Sequence, residues 1–168
     1  SSPLSGVITA MAPVDDVTES VTPELNTSDD TSILLIKLNN KNRLAGSIFS
    51  EITETKYQHT PDIDDIEVFE KLFSGIQNLL KSKKILAMHD ISDGGLITTL
   101  LEMCFTKKVG MRLNLDDSSG VNEFLFSEEI GFAIQIKKNN LDEVTNTLTN
   151  ENIYVKNISE IIDGEQFS

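Results

Sequence analysis

The 168-residue chain has a single cysteine, Cys104, and no tryptophan. One thiol cannot form an intrachain disulfide, so disulfide-stabilised scaffolds are excluded and a reducing, cytoplasmic compartment is expected. No apolar run approaches the ~18 residues that predict a membrane span, so we expect no membrane association. Cys104 lies among apolar residues at helical spacing, which predicts a small core residue rather than a nucleophile.

Basic residues are scarce as well. The chain has 14 Lys and Arg against 27 Asp and Glu, which gives a formal net charge of -13. So acidic a protein repels phosphate backbones, and we expect no nucleic-acid partner. A nucleotide site here would need Mg²⁺ or cations from elsewhere. With only two histidines, His59 in a polar loop and His89, a metal phosphohydrolase built on a His-Asp doublet is excluded.

Hydrophobic residues make up 39% of the chain, an ordinary globular composition for one domain. Apolar periodicity predicts strands and helices that alternate, and therefore an α/β or α+β domain with a mixed sheet covered by helices. Asp64 is predicted to cap the second helix. The predicted strands are residues 4–14, 32–38, 84–88, 109–115, 132–136 and 153–162, and the predicted helices are residues 44–52, 66–80, 96–105, 122–130 and 141–148.

The most informative stretch is HDISDGGL, residues 89–96, between a predicted buried strand and a predicted helix. A helix start favours phosphate oxygens, and a carboxylate such as Asp90 is a hard ligand for Mg²⁺. Asp93 is predicted to be the N-cap of the helix. The competing interpretation is that Asp90, Ser92 and Asp93 only form a turn and cap a helix. Neither a Gly-rich Lys-Ser/Thr phosphate loop nor a dinucleotide fingerprint is present in the sequence.

Six blocks in sequence order carry a family resemblance. The chain resembles phosphoribosylformylglycinamidine synthase in its large single-chain form, and specifically the C-terminal subdomain of the second of its two AIR-synthase-like halves. HDISDGGL is the most specific block, and RLAGS and FSEEIG are others. The blocks are residues 11–17, 30–36, 43–47, 61–64, 89–96 and 126–131.

The resemblance implies an ATP-dependent C–N ligase of purine biosynthesis with glutamine as the amide donor. It implies that residues 1–168 are one AIR-synthase-related C-terminal domain excised from a larger enzyme, with α/β/α layers and a partial ferredoxin-like topology. It also implies that Asp90 ligates Mg²⁺ and that Ser92 contacts a bound nucleotide, ATP or ADP. No catalytic residue is assigned to this chain, and the glutaminase cysteine would lie elsewhere, so the isolated chain is expected to be inactive.

The implied partners are the remaining domains of the synthase and the nucleotide. The surface that would face those domains is expected to be exposed and available for dimerisation. Glu128 and Glu129 have no assigned role, and solvation or a domain contact is the expectation for both. Two alternatives stay open from the sequence, a related ATP-dependent enzyme of the AIR-synthase superfamily and a non-enzymatic nucleotide-binding module.

Overall fold

The computed structural model describes residues 7–14, 16–27, 30–115 and 120–162 of the chain. Within these residues, five strands form one sheet in the spatial order β2-β4-β1-β5-β3. The strands are β1 (Thr31–Lys37), β2 (Ile85–Asp90), β3 (Gly110–Leu113), β4 (Gly131–Lys137) and β5 (Tyr154–Ile162). The helices are α1 (Ile48–Ile52), α2 (Ile66–Lys81), α3 (Gly95–Lys107), α4 (Val121–Phe126) and α5 (Leu141–Thr149), with 3-10 turns at Val17–Glu19 and Lys138–Asn140.

The centre of the sheet is the pair β1 and β4, which run antiparallel from Thr31 opposite Lys137 to Lys37 opposite Gly131. β2 pairs with the free side of β4 and β5 with the free side of β1, again antiparallel. β2 is therefore parallel to β1, and β5 to β4, with one strand between the members of each pair. The connecting helices α2 and α5 complete two interleaved split β-α-β units, a ferredoxin-like arrangement to which β3 is added beyond β5.

The α+β class and the partial ferredoxin-like topology are thus confirmed, but the sheet differs from the expected mixed sheet in one respect. All four pairs of neighbouring strands are antiparallel. Alternating strands and helices suggest parallel neighbours, because a crossover helix returns the chain in the same direction. Here each crossover passes over an intervening antiparallel strand, so parallel strands are never adjacent.

Both faces of the sheet are covered, which explains the continuous apolar run of β1. Ile33 and Leu35 face a cluster with α3, whereas Leu34 and Ile36 face a second cluster with α2 and α5. A strand covered on both sides has no polar face to alternate with. Cys104 belongs to the cluster on the α3 side, as predicted, and burial raises the pKa of its thiol.

Helix α2 matches its predicted range of residues 66–80 to within one residue and buries Leu72, Ile76 and Leu79, although Ile66 and Phe73 of the apolar pattern are exposed. Its N-cap is Asp65, whose carboxylate accepts the N–H groups of Glu67 and Val68 at 2.9 and 3.2 Å. The prediction of Asp64 as the cap is therefore wrong by one residue. The cause is long-range, because Asp64 is instead bound by Lys41 and by Arg43.

The first predicted strand is also wrong in the part that the structure describes. Residues 7–14 have neither strand nor helix and are exposed, with Val7, Ile8 and Met11 each above 90% exposure; residues 4–6 lie outside the described ranges. A strand needs a partner for its backbone groups, and a sequence of β-formers cannot supply one. Over the described ranges, the helices lack the combination of length and apolar character that crossing a bilayer requires.

Candidate functional site

The turn between β2 and α3 is the predicted centre of the site. The Ile91 N–H donates to the Gly131 carbonyl at 2.9 Å, and the Gly95 N–H donates to the Ser92 carbonyl at 3.0 Å. The N-cap of α3 is Gly94, with φ 85°, which has no side chain of its own to accept the free N–H groups of the helix. The prediction of Asp93 as N-cap is therefore wrong. Glycine adopts a left-handed backbone conformation at little cost, so Gly94 rather than Asp93 occupies the position before the helix.

Gly95 brings the turn against a second segment of the chain. It has φ 73°, and a Cβ there would lie 2.6 Å from the Phe126 carbonyl carbon and 2.8 Å from the Ser127 carbonyl oxygen. Only glycine permits this approach of two backbones. Residues 127–130, the loop between α4 and β4, consequently lie beside the start of α3. The Ser127 hydroxyl in this loop is buried without a hydrogen-bond partner among the described residues.

Glu128 connects the two segments to a third. Its Oε1 atom accepts the N–H of Gly94 at 2.9 Å and the N–H of Ile48, the first residue of α1, at 3.0 Å. A single carboxylate oxygen thus satisfies one free backbone donor at the start of each helix, a favourable place for negative charge. The Phe49 and Phe126 rings stack 4.6 Å apart beside it and support the same approach of α1 to α4.

Glu129, the next residue, points into the protein. Its carboxylate is held bidentately by Arg43, with Nε at 2.6 Å from Oε1 and Nη2 at 2.7 Å from Oε2. The Arg43 backbone N–H also donates to Oε1 at 3.1 Å. Arg43 Nη2 further contacts the Asp64 carboxylate at 3.0 Å and the Asp62 carbonyl at 3.0 Å. Glu129 is only 2% exposed, so of the two expectations for it solvation is wrong, and a contact with another domain stays a prediction.

The contacts around Arg43 and Glu129 shift the pKa values of the neighbouring ionisable groups. The hydrogen bonds that Arg43 donates to Glu129 raise the pKa of Arg43, and the hydrogen bond that Lys41 donates to Asp64, together with Arg43, lowers the pKa of Asp64. Lys37, 3% exposed, donates to the Lys41 carbonyl and the Asn42 side chain, each at 2.6 Å. Burial lowers the pKa of Lys37 to about 8, although the Glu129 charge opposes this shift.

Asp90 and Ser92, the two predicted site residues, are exposed to solvent. The Asp90 side chain is 65% exposed, and Ser92 and Asp93 are exposed as well. The backbone of Asp90 is fixed, because its carbonyl accepts the Thr99 hydroxyl at 3.0 Å. The structure therefore combines a held backbone with side chains that are open to a ligand.

His89, on β2, contacts α3 through its ring. Its Nε2 atom is 2.9 Å from Glu102 Oε2, and its Nδ1 atom is 2.9 Å from the Asp90 carbonyl oxygen and 3.3 Å from Asp90 Oδ1. The ring is thus held by α3 on one side and by the site carboxylate on the other. His59, by contrast, is exposed, as predicted.

The residues present fit part of a magnesium site. No group of three or more His, Cys, Asp or Glu side chains in the described residues is arranged to hold a metal ion. Mg²⁺ in nucleotide sites usually binds one or two carboxylates and completes its shell with water and phosphate oxygens. The exposed Asp90 carboxylate suits one such position.

Four of the blocks singled out in the sequence meet here. Residues 43–47, 61–64, 89–96 and 126–131 are joined by the bonds of Arg43, Glu128 and Glu129. Sequence reasoning missed the linking role of both glutamates and the burial of Lys37. Signals were present, since the glutamates stand in one of the blocks and Lys37 interrupts a continuous apolar run.

The family model for the C-terminal domain of AIR synthase related proteins matches residues 30–168, which include all five strands. The chain belongs to the AIR synthase related protein family. The family resemblance drawn from the six blocks is confirmed by this match. Similarity to a relative also supports it: the probable phosphoribosylformylglycinamidine synthase, chloroplastic/mitochondrial, from Arabidopsis thaliana is 38% identical to this chain over 162 residues.

That alignment covers 94% of this AIR-synthase-related chain but only 11% of the Arabidopsis relative. Solved structures share the fold at low identity. PurL from Thermotoga maritima complexed with ATP has a TM-score of 0.70 at 14% identity, over 90% of this chain and 24% of that one. HypE from E. coli, a hydrogenase maturation protein, has a TM-score of 0.61 at 13% identity, over 88% of this chain and 48% of that one.

Proposed function

We propose that this chain is the AIR-synthase-related C-terminal domain of a phosphoribosylformylglycinamidine synthase, within the second of two similar halves of a longer multidomain chain. The parent enzyme converts formylglycinamide ribonucleotide, glutamine and ATP to formylglycinamidine ribonucleotide, glutamate, ADP and phosphate. In this proposal the domain contributes Asp90 as a Mg²⁺ ligand and Ser92 as a contact to the nucleotide. The Arabidopsis relative, with its printed name and 38% identity, supports the choice of reaction.

One observation carries the proposal to these residues. Glu128 bonds to the β2–α3 turn and Glu129 to Arg43, while Asp90 and Ser92 at the same turn are left exposed. A carboxylate that only stabilised the turn would be expected to bond to it, as Glu128 does. The fold by itself does not select the reaction, since HypE shares it.

The chemistry asked of this chain is limited to binding and orientation. Bound Mg²⁺ would neutralise phosphate charge, which matters in a chain of net charge -13. The Asp90 carboxylate would orient that ion, and the Ser92 hydroxyl would donate to or accept from the nucleotide. Cys104 is a core residue and takes no part in ammonia production, so the glutamine chemistry is assigned to another part of the parent enzyme.

The proposed partners are the other domains of the synthase and the nucleotide. The exposed apolar residues of 7–14 are a candidate contact with those domains, and in the isolated chain they could support dimerisation. The single buried thiol suits a reducing compartment, and the cytoplasm is the proposed one. The Arabidopsis relative, by contrast, has an organellar name.

The test uses the complete synthase encoded by the reading frame that contains this chain, with Asp90→Asn and the matched control Asp93→Asn. Asp90→Asn keeps the size of the side chain and removes its charge, so MgADP affinity measured by titration calorimetry should fall by a few kcal/mol. Asp93→Asn, an exposed neighbour with no proposed ligand, should bind as wild type does. Wild-type affinity in Asp90→Asn, or a complete enzyme without synthase activity, would contradict the proposal.

A further inference from the structure

We propose that Glu128 is a positioning residue for the nucleotide turn, which we define as residues 91–94. The inference rests on the proposed function, because it concerns how that turn presents Asp90 and Ser92. Glu128 touches neither of these side chains. Its Oε1 atom accepts the N–H of Gly94 at 2.9 Å and that of Ile48 at 3.0 Å, and so joins the turn to α1 from a third segment of the chain.

The turn is closed by a bond from the Gly95 N–H to the Ser92 carbonyl at 3.0 Å, and its two glycines make a further partner useful. Gly94 and Gly95 both have positive φ, and glycine has more conformational freedom to lose than any other residue. On the β2 side, the Asp90 carbonyl is held by the Thr99 hydroxyl and the Ile91 N–H by the Gly131 carbonyl. On the α3 side, the Gly94 N–H is held by Glu128. Ser92 lies between these two fixed points.

Two roles of Glu128, as a negative charge and as a hydrogen-bond acceptor, predict opposite effects on phosphate binding. As a negative charge near the first turn of α3, Glu128 would repel an approaching phosphate. As a hydrogen-bond acceptor, it fixes the turn that the phosphate needs. Glu128→Gln keeps an acceptor oxygen and loses the charge, whereas Glu128→Ala loses both. If positioning dominates, the glutamine variant rescues binding, and the alanine variant does not.

The experiment titrates nucleotide-free complete synthase with MgADP by calorimetry. We expect Glu128→Ala to weaken binding about tenfold, the effect of one lost acceptor for a backbone donor. Glu128→Gln should bind within about twofold of wild type, or more tightly. Glu51→Ala, an exposed glutamate of α1, is the matched control and should bind as wild type does. Amide hydrogen exchange across residues 91–95 should be faster in Glu128→Ala and unchanged in Glu128→Gln.

The outcomes distinguish this inference from the proposed function. Equal losses in Glu128→Ala and Glu128→Gln would show that charge rather than the acceptor matters, and would overturn positioning. Wild-type binding by Glu128→Ala, alongside a loss in Asp90→Asn, would overturn this inference alone. Wild-type enzyme that does not bind MgADP would overturn both. If Glu128→Ala does not fold, Glu128→Asp replaces it with the same expectation, because the shorter side chain withdraws its carboxylate from both N–H groups.

Discussion

Two groups of charged and polar residues meet at one short loop, residues 127–130, which supplies Glu129 to the first group and is bonded through Glu128 to the turn that carries the second, and their environments are opposite. We call Lys37, Arg43 and Glu129 the anchor, and Asp90, Ser92 and Asp93 the exposed edge. Glu129 has a side chain 3% exposed and held by two guanidinium bonds, whereas the Asp90 side chain is 65% exposed. Water solvates the second carboxylate and not the first, so only the first requires a partner for the protein to fold.

The comparison shows how burial gives carboxylates in one small domain different roles. A buried carboxylate with its bonds filled can define where segments meet, but it has no capacity left for a ligand. A solvated carboxylate contributes little to folding and can exchange water for a metal ion. Glu128 is half-buried, and the bonds it makes within the described residues are to the backbone N–H groups of Ile48 and Gly94, so it connects the two groups.

Removing one half of the anchor should have the largest effect. Glu129→Gln removes the buried countercharge of the Arg43 guanidinium and leaves it paired with the more exposed Asp64, and such losses cost up to about 3–5 kcal/mol of unfolding free energy. Urea unfolding of the 168-residue chain measures this. The matched control at the exposed edge, Asp93→Asn, should change stability by less than about 0.5 kcal/mol. Equal effects at both positions would erase the distinction between the two groups.

The contact that places the exposed edge beside the loop is tested at Gly95. Gly95→Ala meets two penalties, a left-handed backbone that costs about 1–2 kcal/mol and a Cβ inside the backbone of Phe126. Gly46→Ala, at φ 79°, meets only the first, because its nearest neighbouring atom would be 3.9 Å away. We expect the Gly95 variant to lose about 1–3 kcal/mol more than the Gly46 variant in urea unfolding. Equal losses of unfolding free energy in the two variants would mean that the turn at Gly95 can move away from residues 126–127 without an energetic penalty.

The buried amine of the anchor predicts a pH dependence. The pKa of Lys37 is lowered to about 8 in the folded chain from a usual value of 10.5, so between these values the unfolded chain binds more protons. Stability should therefore rise with pH across that range by up to about 3 kcal/mol relative to Lys37→Met. Unfolding free energies at pH 7, 9 and 10.5 give the difference. Lys81→Met, at an exposed lysine, should leave the wild-type slope unchanged.

The smallest expected effect is at the hydroxyl of the exposed edge. Ser92→Ala removes one neutral hydrogen bond to the proposed nucleotide, which is worth about 1 kcal/mol of MgADP affinity in the complete synthase. Stability of the nucleotide-free protein should not change, because Ser92 is exposed. Ser74→Ala, an exposed serine of α2, is the control for both measurements. A loss of stability without a loss of affinity would move Ser92 from the exposed edge to the structural side of the comparison.

The sequence alone determined what depends on near neighbours. The apolar run of β1, the stripe of α2 and the change from strand to helix at residues 90–95 were all predicted, because each is set by side-chain periodicity and by glycine within a few residues. Asp90 and Ser92 were identified by block similarity, and their exposure follows from their place in that turn. Their predicted binding of Mg²⁺ and nucleotide stays a prediction.

Tertiary structure decided everything that joins distant parts of the chain. Residues 7–14 found no strand partner, and the crossovers interleaved so that every neighbouring pair of strands became antiparallel. The Glu128 bonds to Gly94 and Ile48 span 34 and 80 residues, and Arg43 and Glu129 are 86 residues apart. Side chains so far separated lie together only after the sheet has formed, because burial and strand order, rather than local propensity, determine which charges must be paired.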